Sequence, residues 1–257
     1  MKDWFATVEI AQRILIELWR RKRSLVCWAV FPVSILVING LILPGHTQLS
    51  LATAFAQSAP PSLVGAALFF SCLGGSVTTV VAEREQRTIK RLFISPLNGV
   101  SYFLGIFLAY GAIGIGQTLL VYTVAALAGA EFKGSLGLGS VIIFCSILAY
   151  VGLGFWLGTQ LARRTEDVNA LIATFGIPLL LLGGAFIPIE LFPQVLLQIA
   201  KFNPIYHMNE SLSGVVLQSQ KWQEIAPHFW FLVGFAGLMV AGGWSSYRHM
   251  LRVERRL

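Results

Sequence analysis

Six of the nine residues at 83–91 are charged: Glu83, Arg84, Glu85, Arg87, Lys90 and Arg91. Mixed charge at this density can make ion pairs with another surface, but it lacks the nucleophile and base of a bond-making site. Its setting gives it weight. Asp, Glu, Lys and Arg are absent from the 58 residues before it, 25–82, and from the 39 residues at 92–130. Charge gathered between two such stretches reads as a contact surface at a membrane boundary, or else as a solvated loop placed for orientation alone. Orientation depends on Lys and Arg, so it leaves Glu83 and Glu85 unexplained.

Chemistry of the bond-making kind is hard to find elsewhere. The sequence contains no HExxH, no GxSxG and no phosphate-binding GxxxxGK followed by Ser or Thr, so no ATP site is expected in this chain. His46, His207, His228 and His249 are far apart in sequence, and Cys27, Cys72 and Cys145 show no paired spacing. Neither a catalytic residue, nor a metal site, nor a disulfide framework is expected. Gln117, Thr118, Tyr122 and Thr123 are polar groups in apolar surroundings. Polar groups in lipid must find partners, so they either line a translocation pathway or bond to neighbouring helices. Gly154 and Gly158 form a GxxxG pair that permits close helix approach.

The elements that position these residues are membrane spans. The chain has 257 residues, 56% hydrophobic and 12% charged, whereas soluble domains are about one quarter charged. About 20 apolar residues cross a bilayer as helix. Six segments qualify, approximately 25–43, 62–82, 100–128, 136–162, 168–188 and 227–247. The first begins after 24 residues and reads as an anchor rather than a cleaved signal. This is an all-α membrane protein with a single six-span domain over 25–257.

Of the 19 Lys and Arg residues, 16 fall on one side of these spans and Lys133, Lys201 and Lys221 on the other. The positive-inside rule then puts both termini and the 83–98 segment in the cytoplasm of a bacterial-type inner membrane. The net charge of +7 is a matter of topology, and nucleic-acid binding is not expected.

Residues 1–24 carry Trp4, Phe5, Val8, Ala11, Leu15 and Leu18 at three- and four-residue steps. That spacing predicts an amphipathic helix, either lying in the membrane interface or packed on the bundle. Between spans five and six, LFPQVLLQIAKF is apolar but too short to cross. Asn203-Pro204 is a turn signal, so 189–218 reads as an outer re-entrant or interfacial hairpin of two short helices.

The stretch VVAEREQRTIKRLFISPLNGVSYFLGIFLAYGAIGIGQTLLV resembles the membrane subunits of the ABC type-2 transporter family, exporters of drugs, lipids and polysaccharides. Glu83, Arg84, Glu85, Thr88, Leu92, Ser95 and Pro96 match the family's pattern, and Arg91 falls within it. A second resemblance, GGAFIPIELFPQVLLQIAKFNPIYHMNESLSG, carries landmarks at Gly183, Gly184, Pro188, Pro193, Asn203 and Pro204. The chain departs at Arg87, where the family often has glycine, and before Gly214, where arginine is common.

The resemblance implies that 83–98 forms a cytoplasmic coupling helix seated in a separate ATPase subunit. That subunit would bind ATP and Mg, while this chain binds no cofactor. It also implies a second permease subunit, as a homodimer or pseudo-symmetric pair, and an amphiphilic substrate (drug, lipid or glycan) moving between the two within membrane lipid. The rival functions are an ATP-independent channel or secondary transporter, and a membrane-embedded enzyme.

Overall fold

The computed structural model describes residues 2–46, 48–86, 99–162, 164–187, 189–217 and 221–254. Among these residues every regular element is helical. In chain order they are α1 (Lys2–Arg20), α2 (Lys22–His46), α3 (Leu51–Glu85), α4 (Gly99–Leu127), α5 (Leu136–Gln160), α6 (Thr165–Leu182), a 3₁₀ turn (Ile189–Leu191), α7 (Gln194–Ala200), α8 (Pro204–Val216) and α9 (Trp222–Glu254). Six of them, α2 to α6 and α9, are long and apolar enough to cross a membrane.

The bundle is organised around α3. Its most apolar stretch is 83% buried, against 17% for α2, α6 and α9. Small residues allow this enclosure. A Cβ at Gly75 would fall 2.5 Å from Tyr110 and 2.9 Å from Trp28, and one at Gly158 of α5 would fall 3.0 Å from Val80. Gly154 likewise faces Ser76, so the GxxxG pair of α5 seats α5 on α3 within one chain.

The second span starts at Leu51, eleven residues earlier than its apolar run suggests, and passes through Pro60 and Pro61. Proline removes an N–H and crowds the preceding turn. The chain answers by widening: Ser62–Gly74 winds in π-type turns before ordinary α geometry resumes at Gly75.

Both ends of the bundle are closed by identifiable devices. Arg13 meets Glu83 and Asp3 accepts from Ser101, which places α1 across the first turns of α4. The aromatic rings of Tyr102, Phe103, Phe155 and Tyr247 tie α4, α5 and α9 together at the same end. At the other end Gly129 and Gly184 hold φ of 88° and 74° and terminate α4 and α6. Only glycine enters that region without strain.

Residues Lys2–Arg20 form the helix α1. Thr7, Ile10, Ala11 and Ile14 are buried, with Ile10 against Gly105 of α4, while Trp4, Phe5, Ile16 and Trp19 remain exposed. One face packs on the bundle and another stays apolar and open. Two short helices, α7 and α8, lie between the fifth and sixth spans. α8 is mostly buried, whereas α7 and its flanks expose Leu191, Val195, Ile199 and Phe202.

Candidate functional site

The last turn of α3 carries Glu83, Arg84 and Glu85, and each engages a different neighbour. Successive residues on a helix point about 100° apart. Glu83 is 7% exposed, and its carboxylate accepts from the Arg13 guanidinium of α1 and the Tyr102 hydroxyl of α4. Arg84 donates through Nη1 to the carbonyls of Gly158 (2.7 Å) and Ala162 (3.0 Å). The last carbonyls of a helix lack intrahelical partners, so Arg84 caps α5 with positive charge at its negative end. Glu85 is exposed and accepts from the Thr165 hydroxyl at 2.6 Å and the Thr165 N–H at 3.4 Å, the first residue of α6.

These partners explain the acidic pair that orientation could not. Sequence shows where the charges are, whereas Tyr102 lies 19 residues away and their other partners 70 to 80. Thr88, Arg91, Leu92, Ser95 and Pro96, together with most of 83–98, lie outside the described residues, as does Pro188.

A cavity of about 460 Å³ opens beside this corner, between α1, α2, α3 and α6. Arg13 and Glu17 of α1 and Arg21, between α1 and α2, stand at its polar side, and Arg21 Nη2 donates to Glu17 at 2.6 Å. Trp28 and Phe70 supply apolar wall. Deeper in, Tyr110 donates to the Gly75 carbonyl (2.7 Å), so Thr79, at 2.6 Å from the Tyr110 oxygen, must be the donor in their bond. No apolar run or motif in the sequence marks this cavity, because its residues come from five separate helices, α1, α2, α3, α4 and α6.

The four polar residues of span three lie on α4, and none of them lines the cavity. Thr118 donates to the Gly114 carbonyl at 2.8 Å. Thr123 is exposed. Gln117 Oε1 and the Tyr122 hydroxyl are buried without a hydrogen-bond partner, and the Tyr122 ring meets Phe132 at 4.9 Å.

The far end is held by asparagines. Asn203 caps α8 by accepting from Ile205 N–H (3.0 Å) and donates to the Leu179 carbonyl of α6 (2.6 Å). Asn209 donates toward the Gly184 carbonyl at 3.3 Å. A Cβ at Gly183 would fall 2.5 Å from Ile205, so glycine there lets α8 close on α6. Pro193 and Pro204 stand at the starts of α7 and α8.

The structure also joins two histidines that sequence distance kept apart. His207 Nδ1 lies 3.0 Å from His228 Nδ1, and His207 Nε2 lies 2.8 Å from the Lys201 carbonyl. A carbonyl only accepts, so His207 carries its proton on Nε2 and His228 donates from Nδ1. Burial lowers the pKa of His207 from its ordinary value. Among the described residues no cluster of three metal-ligating side chains occurs.

Comparison with known proteins gives these features a family. Residues 42–244 match the model of the ABC-2 family transporter protein. The chain is 23% identical over 162 residues to the "Inner membrane transport permease YhhJ" of Escherichia coli (strain K12), covering 62% of this chain and 43% of that protein. It is 24% identical over 189 residues to the "Probable multidrug ABC transporter permease YbhR" of the same strain, covering 73% of this chain and 51% of that protein. The chain thus spans about half the length of these curated relatives.

Proposed function

The chain belongs to the ABC-2 family of transporter proteins, and from that premise we propose that it is the permease half of an ATP-driven exporter in a bacterial inner membrane. In this reading a separate ATP-binding-cassette subunit binds ATP and Mg, and a second permease subunit completes a path for an amphiphilic substrate. Both termini and the 83–98 segment face the cytoplasm, in keeping with the distribution of Lys and Arg. The segment is where the ATPase docks. α1 lies in the interface, its exposed Trp4, Phe5 and Trp19 at the level of the lipid headgroups.

One observation carries the coupling reading. Glu83, Arg84 and Glu85 bond the end of α3 to α1, α4, α5 and α6. A displacement that reaches the last turn of α3 is therefore passed directly to four other helices. ATP binding moves the bundle only as far as the ATPase binds its two conformations with different affinity.

Proteoliposomes test this directly. Transport of an amphiphile should require this chain, its ATPase and Mg-ATP together. Flux from the chain alone would overturn the reading in favour of a channel or secondary transporter.

A further inference from the structure

We propose that the cavity between α1, α2, α3 and α6 binds an amphiphile with an anionic headgroup, a phosphate or carboxylate, whose chain lies against Trp28 and Phe70. The proposal rests on the permease reading and adds the headgroup chemistry that this reading leaves open. At about 460 Å³ the cavity falls within the range of roughly 300–1,000 Å³ usual for small-molecule sites.

The sign of the headgroup follows from which hydrogen-bonding groups are already used. Two carboxylates and two guanidiniums line the polar side, so formal charge is balanced. Their bonding is not. Both oxygens of Glu83 are occupied, one by Arg13 and the other by Tyr102, and Glu17 accepts from Arg21. Arg13 reaches Glu83 through one terminal nitrogen, while its Nε is buried with no partner. A guanidinium offers five N–H donors, and an unmatched buried donor is costly. The two guanidiniums carry more N–H donors than Glu83 and Glu17 take up.

A cationic ligand has only Glu17, which accepts from Arg21 through Oε1, to pair with freely; at Glu83 it would have to displace Arg13 or Tyr102. An anion adds oxygens to Arg13 and Arg21 and breaks neither pair. Charge-assisted bonds of this type are roughly twice as strong as neutral ones. Trp28 is fixed against Gly75 of α3, where a Cβ would fall 2.9 Å from its ring, so the apolar wall is rigid. Phe70 is held edge-on to Phe69 and Phe31 at centroid distances of 5.2 Å.

The test uses the full chain in nanodiscs of zwitterionic lipid, without ATPase or ATP. The probes are a terminally brominated dodecyl phosphate and the trimethylammonium and glucoside of the same brominated chain. The signal is the fluorescence quenching lost in Trp28→Phe. We expect saturable quenching by the phosphate, with a Kd about tenfold below those of the other two. Arg21→Gln should weaken it about tenfold, and Arg21→Lys should restore most of the affinity. Arg21 is solvent-exposed between α1 and α2, so these variants keep the fold.

Inorganic phosphate should compete only weakly, because it lacks the chain. Equal affinity for the three headgroups, equal binding of inorganic phosphate, or a saturable component of quenching that survives undiminished in Trp28→Phe would each overturn the proposal. None of these results touches the ATP dependence of transport, so the two readings fail separately.

Discussion

Arg13 and Glu83, 70 residues apart in the chain, form an ion pair that joins α1 to the last turn of α3, and Tyr102 takes the other oxygen of the same carboxylate. This triad makes α1 part of the bundle. Removing one partner strands the other, and for fully buried pairs that costs about 3–5 kcal/mol.

Because the Arg13 side chain is 40% exposed, Arg13→Gln should destabilise the protein by less, about 1–2 kcal/mol. Adding Glu83→Gln should recover part of the loss, since the carboxylate no longer needs a cation. Thermal unfolding of the two single variants and the double variant in detergent gives the cycle. Strict additivity would mean that the pair contributes nothing.

Arg84→Ala should release the end of α5 rather than unfold the bundle. Charged hydrogen bonds contribute about 1.5–3 kcal/mol each, and Arg84 supplies two to the Gly158 and Ala162 carbonyls. Amide hydrogen exchange should accelerate in the last turn of α5 and stay unchanged in its first. Uniform acceleration along α5 would contradict a capping role.

Thr165→Val removes the hydroxyl that bonds Glu85 at 2.6 Å with little change in volume. On the permease reading, the ATPase should still assemble with the variant, while substrate stimulation of ATP hydrolysis should fall severalfold. Unaltered stimulation would show that the α3–α6 link takes no part in coupling.

The His207–His228 contact predicts a pH dependence at the far end. Burial lowers the pKa of His207, so below about pH 6.5, the ordinary histidine value, the unfolded chain binds a proton that the folded chain resists. Stability is then full above that value and declines as pH falls through it toward the depressed folded pKa. Thermal unfolding between pH 7.5 and 5 should show a steeper loss in wild type than in His207→Gln. Parallel curves would remove His207 from the explanation.

How much of this was legible depends on distance along the chain. The spans were, because apolar runs announce themselves: the fourth begins at Leu136 both in the sequence pattern and in α5. A helix before the first span was visible from its spacing, and the break between α7 and α8 from Asn203-Pro204. The start of α3 was not, because Gln57, Ser58, Pro60 and Pro61 look like a loop until π-type turns absorb the prolines. Nor were the partners of Glu83 and Arg84, the histidine pair or the cavity. Each depends on residues that only the folded chain brings together, and a local pattern of charge or hydropathy does not encode a distant partner.

The three consecutive bonds at the end of α3 have a mechanical consequence. Lines of attachment that leave a shaft in three directions fix its azimuth, as guy ropes fix a mast. Twisting α3 about its own axis would stretch the links of Glu83, Arg84 and Glu85 together, whereas tilting or sliding it carries α1, α5 and α6 along. Motion delivered to this corner is therefore filtered: rotation is refused, and rocking is passed on to the bundle.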